Sequence, residues 1–334
     1  DAFLSPEKPL LVDEYLGNAV ELDVDAVCDG REVLVGAIME HLEEAGIHSG
    51  DSTCFIPPQN VSENILKQVD EWTRRIGLEL GIRGCYNIQF AIRDEILYVL
   101  EVNPRGSRTF PFVAKATGVP LARIAAMVAL GEKLSDLNIP KPQNDAVCVK
   151  APVFPFIKLR GLDPAPGPEM KSTGEVMGSH ERASAAYLKA RLATESPVPT
   201  EGGVYITVKD KDKDSIINQA KSLIDLGFKL YATRGTANVL RDKGGLEVKT
   251  CYRITEGMTP DALDLMRQGK IHLIINTPRN TGGAVLDGNM MRRLAVELNI
   301  PFVTTMAGAR MEVLAIAEAM DGIPEPRLLE IGTL

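Results

Sequence analysis

The sequence predicts an α/β protein in two parts, an α+β part followed by a doubly wound five-stranded parallel sheet. Three observations support this prediction. Strongly alternating strands cluster near the start of the chain, a stretch rich in proline and glycine interrupts it at 194–203, and short strands then alternate strictly with single helices. We therefore expect one domain at 1–140, a connecting segment at 141–202 and a second domain at 203–334.

In the first part, the polar and apolar alternation predicts strands, and helical spacing predicts helices. The predicted strands are "LLVDEYL" (10–16), "VELDVDAVCDG" (20–30), "REVLVGAIMEH" (31–41) and the two strands of a hairpin within 85–108. A loop is expected at 43–60. The predicted helices run from Ser62, a capping residue, to Gly81, from Pro120 to Gly131, and over "ERASAAYLKARLA" (181–193).

In the second part, five short strands are separated by single helices. The strands are "GVYITVK", "KLYAT", "LEVKTCYR", "HLIINTP" and "PFVTT", and the helices are expected at 213–227, 235–244, 259–269, 287–299 and 307–320. In a doubly wound sheet, ligands bind at the carboxyl ends of the strands. The loops expected there are "VKDKDKD", "ATRGTA" and "NTPRNTGG".

Composition limits the classes of function. The 334 residues suit about two domains, and 45% hydrophobic with 25% charged residues is typical of globular proteins. A formal net charge of −8 argues against nucleic acid as a partner, because phosphate backbones are bound by clustered Lys and Arg. The sequence contains no run of about 18 apolar residues, the length that would predict a membrane span. The five scattered cysteines are typical of unpaired thiols in the reducing cytoplasm.

The hairpin within 85–108 carries a polar face that needs an explanation. Asn87, Gln89, Glu101 and Asn103 occupy alternate positions on its two strands. The even-numbered positions are apolar, namely Ile88, Phe90, Ile92, Ile96, Tyr98, Leu100 and Val102. Burying that whole apolar set on one face requires residue 89 to lie opposite residue 101, because paired residues of an antiparallel ladder point to the same side.

A carboxylate beside amide oxygens suits a hard cation. Mg²⁺ prefers oxygen ligands and usually shares its remaining positions with water and nucleotide phosphates. Arg105 and Arg108 follow the second strand and could hold phosphate oxygens. A polar hairpin face is more commonly just exposed to solvent. The residues alone do not exclude that interpretation. A zinc site at His41 and His48 fits poorly, and no G-x-x-x-x-G-K-[ST] motif exists.

Several longer stretches carry a family resemblance. "VELDVDAVCDG", "IMEHLEEAGIHSGDS", "NIQFAI", "LEVNPRGSRTFPFVAKATGVPLARIAA" and "GPEMKSTGEVMG" follow one another in this order. Together they resemble the C-terminal part of the large subunit of carbamoyl-phosphate synthases, over essentially the whole chain. The resemblance implies an ATP-grasp lobe up to about residue 140 and a regulatory domain similar to methylglyoxal synthase from residue 203.

The resemblance also implies site residues and a reaction. Mg²⁺ or Mn²⁺ would be held by Gln89, Glu101 and Asn103, and ATP would be bound by Glu14, Leu16, Glu21, Gly46, Ile47, His48, Ser49, Gln89 and Glu101. Arg105, with Asn103, would act on the transferred phosphate. The implied reaction is the ATP-dependent phosphorylation of carbamate to carbamoyl phosphate, a ligase activity that supplies arginine and pyrimidine biosynthesis.

The resemblance implies partners as well. The sequence starts where an ATP-grasp domain is already half built, so we expect a truncated piece or a split subunit that is inactive without the remainder of the large subunit. A glutaminase small subunit would supply ammonia, and the regulatory domain could form an oligomer. The alternative is a non-catalytic, nucleotide-sensing regulatory fragment.

Basic, hydroxyl and amide residues at the carboxyl ends of the second set of strands predict a phosphate site. They are Lys213, Thr233, Thr236, Arg253, Asn276, Thr277 and Arg279. All but the last match positions where relatives bind the effectors UMP or IMP. Ornithine is a further effector of some relatives, and Glu43, Asp51 and Thr304 match its site. Ala151 and Phe302 replace a glutamate and a tyrosine there, so we expect little or no ornithine activation.

Overall fold

The first of two sheets has seven strands, all paired antiparallel. The computed structural model describes residues 12, 14–17, 19–142, 145–155, 163–194, 196–278 and 283–322. The strands are β1 (Val20–Cys28), β2 (Val33–Glu44), β3 (Cys54–Ile56), β4 (Gly84–Arg93), β5 (Ile96–Asn103), β6 (Val147–Val153) and β7 (Gly174–His180). Their order is β5-β4-β1-β2-β3-β6-β7, so strands from 141–202 extend the sheet of the first 140 residues.

Helices cover this sheet through separate apolar clusters. They are α1 (Glu63–Glu79), α2 (Phe110–Thr117), α3 (Leu121–Ala129) and α4 (Ala183–Ala193). Ile65 and Val69 of α1 pack in one cluster with apolar residues of β1 and β4, whereas α2 and α3 pack in another with Met39 and Cys54. Ser62 caps α1 by accepting a 3.4 Å hydrogen bond from the amide of Ile65, as its sequence predicts.

The second sheet has five parallel strands in the order β10-β9-β8-β11-β12. They are β8 (Gly203–Thr207), β9 (Lys229–Thr233), β10 (Val248–Cys251), β11 (Leu273–Asn276) and β12 (Phe302–Val303). The helices are α5 (Ile216–Asp225), α6 (Arg234–Asp242), α7 (Ala262–Arg267), α8 (Gly283–Glu297) and α9 (Met306–Asp321). The predicted doubly wound sheet is confirmed, and its order reverses between β8 and β11.

The two sheets are joined by polar contacts between α4 and α9. The hydroxyl of Tyr187 donates to Glu312 at 2.8 Å, and Nε of Arg191 lies 3.3 Å from the same carboxylate, which is fully buried. At the exposed end of this contact, Arg182 donates to both oxygens of Glu318, at 3.0 and 2.6 Å. The hydrogen bond from Tyr187 and the ion pair with Arg191 hold α4 against α9, although Nε of Arg191 itself has no hydrogen-bond partner.

Some elements differ from the sequence prediction. The strand predicted at 10–16 is wrong for its described residues 12 and 14–16, which have no strand pairing; Val12 and Tyr15 are 78% and 66% exposed there. The loop predicted at 43–60 contains β3, because Phe55 pairs with both β2 and β6. Helix α2 was also missed, since proline near its start reads as a turn signal.

Two expectations from composition can be compared with the structure. All five cysteines are free thiols, as predicted. Four of them are buried and Cys85 is half-buried. Within the described ranges, no single helix is long and apolar enough to cross a membrane; the bent pair of α2 and α3 passes that test only when both are taken together.

Candidate functional site

The register of the β4–β5 hairpin brings its polar residues together. Gln89 lies opposite Glu101 and Asn87 opposite Asn103, as the sequence predicts. One residue further, Phe90 pairs with Val99, so Leu100 is an extra residue in a β-bulge.

The bulge reverses which side chains of β5 point to the core over residues 96–99. Ile96 and Leu100 are 54% and 43% exposed, Tyr98 packs with the small cluster around Ala91, and Leu97 enters the α1 core instead. The prediction that Ile96, Tyr98 and Leu100 share the buried face is therefore wrong. The alternating sequence hides the bulge, because apolar residues stand at both parities.

Three predicted site residues form a hydrogen-bonded row at the end of β5. The amide of Asn103 donates to Glu101 at 2.7 Å, and the guanidinium of Arg105 donates to the Asn103 oxygen at 3.3 Å. Glu101 and Arg105 are exposed, and Gln89 is half-buried. This row presents a carboxylate, an amide and a guanidinium at one edge of the sheet.

Two buried carboxylates on the neighbouring strand complete this polar face. Asp23 pairs with Gln89 and Asp25 with Asn87, and both carboxylates are fully buried. The side-chain amide of Asn87 donates to Asp23 at 2.5 Å and to Asp25 at 3.0 Å. Asp23 and Asp25 are not among the residues predicted for the site from the sequence. Their spacing with Glu21 at alternate positions of "VELDVDAV" is the signal that could have revealed them.

Asp25 ties the loop after β5 to the sheet. It accepts hydrogen bonds from Ser107 at 2.6 Å and from Thr109 at 2.7 Å, and Ser107 in turn caps the amide of Phe110 at 3.1 Å. Burial, with the nearby charge of Asp23, raises the pKa of Asp25 to about 7, although these hydrogen bonds favour the charged form. The loop that carries Arg105 is thus anchored at its far end.

Glu21 and the segment from Gly46 to Ser49 meet, as expected for one site. The amide of Gly46 donates to Glu21 at 3.2 Å, and Nδ1 of His41 lies 3.6 Å from the other oxygen. Burial raises the pKa of Glu21, while His41 opposes that shift. The pKa of His41 lies well above its ordinary value, because its neighbours Cys54, Asp23 and Glu21 outweigh the effect of burial.

The rest of this segment is held by its backbone. The amide of His48 donates to the carbonyl of Gly167 at 2.9 Å, and Nδ1 of His48 accepts from the amide of Gly50 at 3.0 Å. The carbonyl of Ser49 accepts from the fully buried ammonium of Lys150 at 2.8 Å. Ile47, His48 and Ser49 are half-buried.

The remaining predicted ATP residues lie before β1. Leu16 packs against Ala19, Ala45 and Ala91, next to Gly46. Glu14 is exposed and lies 3.6 Å from Arg93 of β4. The structure therefore brings Leu16 towards the Gly46 segment, whereas Glu14 faces the turn end of the hairpin.

The donor set of the hairpin fits a metal that shares its ligands with phosphate. Among the described residues, no group of three or more His, Cys, Asp or Glu side chains could enclose a metal ion. Glu101 with the amide oxygens of Gln89 and Asn103 offers hard oxygen ligands from protein on one side only. That is the mode in which Mg²⁺ binds, since it retains waters and takes substrate phosphates.

The second sheet contains a cavity of about 620 Å³ at the carboxyl ends of its strands. All six residues predicted for effector binding line it, namely Lys213, Thr233, Thr236, Arg253, Asn276 and Thr277; Arg279 lies outside the described residues. The lining also includes Tyr205, Lys209 and Asp287, which were not predicted from the sequence. The cavity lies where the strand order reverses, the usual ligand position in this fold.

The cavity offers groups suited to an anion. Thr233 is the N-cap of α6, and Lys213, paired with Asp210 at 2.7 Å, approaches Gly235 in the first turn of that helix. A helix N-terminus and an ammonium both favour negative charge. Asn276 is buried and accepts a 2.7 Å hydrogen bond from Arg292, and the hydroxyl of Thr277 accepts from the amide of Lys209 at 2.9 Å.

The carboxylates expected for an ornithine site are already engaged. Both oxygens of Asp51 accept backbone amides, from Lys171 at 2.8 Å and Ser172 at 2.9 Å, and Glu43 accepts from the amide of Thr53 at 2.6 Å. Burial raises the pKa of Glu43. Ala151 is 3% exposed, whereas Phe302 and Thr304 are half-buried.

Comparison with known protein families gives two matches. Residues 2–137 match the family described as "Carbamoyl-phosphate synthase L chain, ATP binding domain", and residues 215–304 match the "MGS-like domain".

The names of curated relatives agree with the first of these matches. The chain is 50% identical over 317 residues to the "Carbamoyl phosphate synthase large chain" of Methanothermobacter thermautotrophicus, covering 94% of this chain and 30% of that protein. It is 47% identical over 332 residues to the "Carbamoyl phosphate synthase large chain, C-terminal section" of Methanocaldococcus jannaschii, covering 96% of this chain and 53% of that protein. The chain thus spans between about a third and a half of these relatives.

Among solved structures, the biotin carboxylase domain of a single-chain bacterial carboxylase overlaps 55% of this chain and 48% of its own length, at 15% identity and a TM-score of 0.44. So low a score marks a partial likeness only.

Proposed function

We propose that the chain is the carbamoyl phosphate-forming, effector-responsive part of a carbamoyl-phosphate synthase, because residues 2–137 match the ATP-binding domain of its large chain and residues 215–304 match the MGS-like domain. The proposed reaction is the phosphorylation of carbamate by ATP, in the cytoplasm, for arginine and pyrimidine biosynthesis. The observation that supports it best is the pairing of Gln89 with Glu101 beside the row Glu101–Asn103–Arg105.

The residues would act by positioning and by neutralising charge. Gln89, Glu101 and Asn103 would hold Mg²⁺ or Mn²⁺, which when bound supplies charge neutralisation at the phosphate oxygens. Arg105 would stabilise the negative charge of the transferred phosphoryl group, since its guanidinium already lies against Asn103. Glu21, beside Gly46, would accept hydrogen bonds from the ribose hydroxyls, and Gly46, Ile47, His48 and Ser49 would line the nucleotide with Glu14 and Leu16.

The proposed partners are the remainder of a large chain and a glutaminase small subunit. The chain covers 30% of one relative called a large chain and 53% of one called a C-terminal section. A complete synthase therefore needs protein beyond the residues of this chain, and an ammonia-producing partner follows from the proposed reaction. An oligomer through the second domain is also proposed.

Binding of Mg·ADP to the chain tests the catalytic half. We expect Glu101→Gln to weaken the Mg-dependent part of ADP affinity, measured by calorimetry, by tenfold or more, on the order of the loss expected when one ionised ligand is removed. Asp94→Asn in the exposed hairpin turn is the matched control, because Asn tolerates the positive φ of that position. Equal affinity of Glu101→Gln and the control contradicts the proposed metal site.

The cavity of the second sheet is proposed to bind a nucleoside monophosphate, UMP or IMP. Titration of both nucleotides into Lys213→Ala and Thr233→Ala tests this, and unchanged affinity refutes it. The alternative function is a nucleotide sensor without catalysis, favoured by the size and basic lining of this cavity. It predicts binding of UMP or IMP together with no Mg-dependent binding of ADP.

A further inference from the structure

Arg292 connects the cavity of the second sheet to a loop of the first part. It lies on α8, is 3% exposed, and donates to three acceptors. Nη1 donates to the Asn276 oxygen at 2.7 Å, while Nε and Nη2 donate to the two oxygens of Asp163 at 2.9 and 2.7 Å. One planar guanidinium thus holds a cavity residue and a loop residue in fixed relation.

Residues 163–172 are bonded in turn to the segment Gly46–Asp51, which is the proposed nucleotide segment. The carbonyl of Gly167 accepts the amide of His48 at 2.9 Å. The amides of Lys171 and Ser172 donate to Asp51, and the hydroxyl of Ser172 donates to the carbonyl of Gly50 at 2.8 Å. Four hydrogen bonds therefore join residues 163–172 to residues 48–51.

The loop is also braced internally, so that a displacement at one end reaches the other. Asp163 accepts the amide of Ala165 at 3.0 Å, and the ammonium of Lys171 donates to the carbonyls of Asp163 and Ala165 at 3.0 and 2.6 Å. Partial burial opposes ionisation of Asp163, but hydrogen bonds from Arg292 outweigh it and hold its pKa below the ordinary value. The carboxylate of Asp163 is thus ionised at neutral pH.

We propose that Arg292 and Asp163 are positioning residues for the nucleotide segment Gly46–Asp51, and that they link its placement to occupancy of the cavity at Asn276. This rests on the proposed function, since it assigns ATP to the one site and an effector to the other. A ligand that bonds to Asn276 shares that side chain with Arg292. It therefore changes the hold of Arg292 on Asp163, and through residues 165–172 it shifts the backbone of His48.

An ordinary stabilising ion pair between domains is the alternative, and the chain offers a matched control for it. Arg182 and Glu318 also form a bidentate pair between the first part and α9, at 3.0 and 2.6 Å. Neither residue lines the cavity or bonds to the nucleotide segment. A role in stability alone predicts similar effects from both pairs.

Hydrogen exchange of the 334-residue chain without ligand tests the positioning. In Asp163→Asn and Arg292→Lys, we expect the amides of His48, Lys171 and Ser172 to exchange about tenfold faster or more, because a charge-assisted anchor of the loop is weakened. In Arg182→Lys and Glu318→Gln these amides should exchange as in the unsubstituted chain. Unchanged exchange in the first pair, or equal acceleration in both pairs, overturns the proposal.

The link to the cavity is tested by Mg·ADP affinity with and without IMP or UMP. We expect the ratio of the two affinities to move towards one in Arg292→Lys and to be unchanged in Arg182→Lys. A ratio unchanged in Arg292→Lys overturns the link, as does a ratio of one in the unsubstituted chain. If no Mg·ADP binds at all, the proposed function fails, and the exchange experiment still decides the positioning because it uses no ligand.

Discussion

Asp25 and Thr109 are joined by a 2.7 Å hydrogen bond across 84 residues of sequence. With Ser107 on its other oxygen, the Asp25 carboxylate fixes the start of α2 and the loop that carries Arg105. It does so at a cost, because Asp25 is fully buried beside Asp23, and its pKa is raised to about 7.

Asp25→Asn should change the pH dependence of stability. The folded-state pKa lies above the unfolded value, so the contribution of Asp25 is fully present below about pH 4 and is lost as pH rises through about 7. Asparagine has nearly the same shape as aspartate but does not titrate. The hydroxyls of Ser107 and Thr109 can rotate to hydrogen-bond to it. We expect its free energy of unfolding, relative to the unsubstituted chain, to rise by on the order of 2 to 4 kcal/mol between pH 4 and 8.

Urea unfolding at four pH values measures this difference. Asp94→Asn, which removes an exposed carboxylate from the β4–β5 turn, is the control and should run parallel to the unsubstituted chain. The same parallel course for Asp25→Asn would show that Asp25 does not titrate in the way described.

Gly46→Ala should weaken the binding of Mg·ADP, because it strains the backbone of the nucleotide segment. Gly46 has a φ of +96°, a conformation that costs about 1 to 2 kcal/mol in any residue with a Cβ. An added methyl would meet only Tyr15, at 3.5 Å, so the cost is in the backbone and should shift the amide that donates to Glu21. Calorimetry with Mg·ADP should show weaker binding. Gly174→Ala, with open space around its Cβ and no positive φ, should bind as the unsubstituted chain does.

Tyr187→Phe should loosen the contact of α4 with α9. It removes the 2.8 Å donor to the buried carboxylate of Glu312, leaving Arg191 as its remaining partner in that contact. We expect a loss of about 1 to 3 kcal/mol in the free energy of unfolding, the usual cost of an unsatisfied buried acceptor. Tyr98→Phe, where no comparable buried bond is lost, serves as the reference in the same denaturation series. Equal stability of both variants would contradict a role for the Tyr187 hydroxyl.

Ornithine should bind weakly or not at all. Both oxygens of Asp51 accept backbone amides, and Ala151 provides no carboxylate. Titration with ornithine should therefore give no saturable heat at concentrations where UMP or IMP does. Saturable ornithine binding would contradict this prediction and would require Asp51 to exchange its present partners.

Much of the fold can be predicted from local sequence patterns, whereas only part of the candidate site can. The five-stranded sheet is predicted because each strand and helix carries its own periodicity, from Gly203 onward. The pairing of Gln89 with Glu101 follows from one parity argument. Partners far apart in sequence, such as Asp25 with Thr109 or Arg292 with Asp163, carry no local signal, because each residue alone reads as an ordinary polar position.

The short strand β3 and the bulge at Leu100 were missed for related reasons. β3 has only three residues, and its pairing with β2 and β6 is set by strands more than ten and ninety residues away. At the bulge, valine and leucine suit either face of a half-exposed strand, so hydrophobicity cannot report the change of register.

The bulge also bears on how the sheet avoids joining to itself. β5 is the outermost strand of its sheet within the described residues, and Ile96, Val99 and Leu100 are exposed along it. A straight apolar edge of this kind is a template for a strand of a second molecule, and an irregular edge is a poor one. Leu100, the extra residue of the bulge, thus also makes this edge less able to pair with a strand of a second molecule. A chain without Leu100 should aggregate at concentrations where the unsubstituted chain stays dispersed, as light scattering would show.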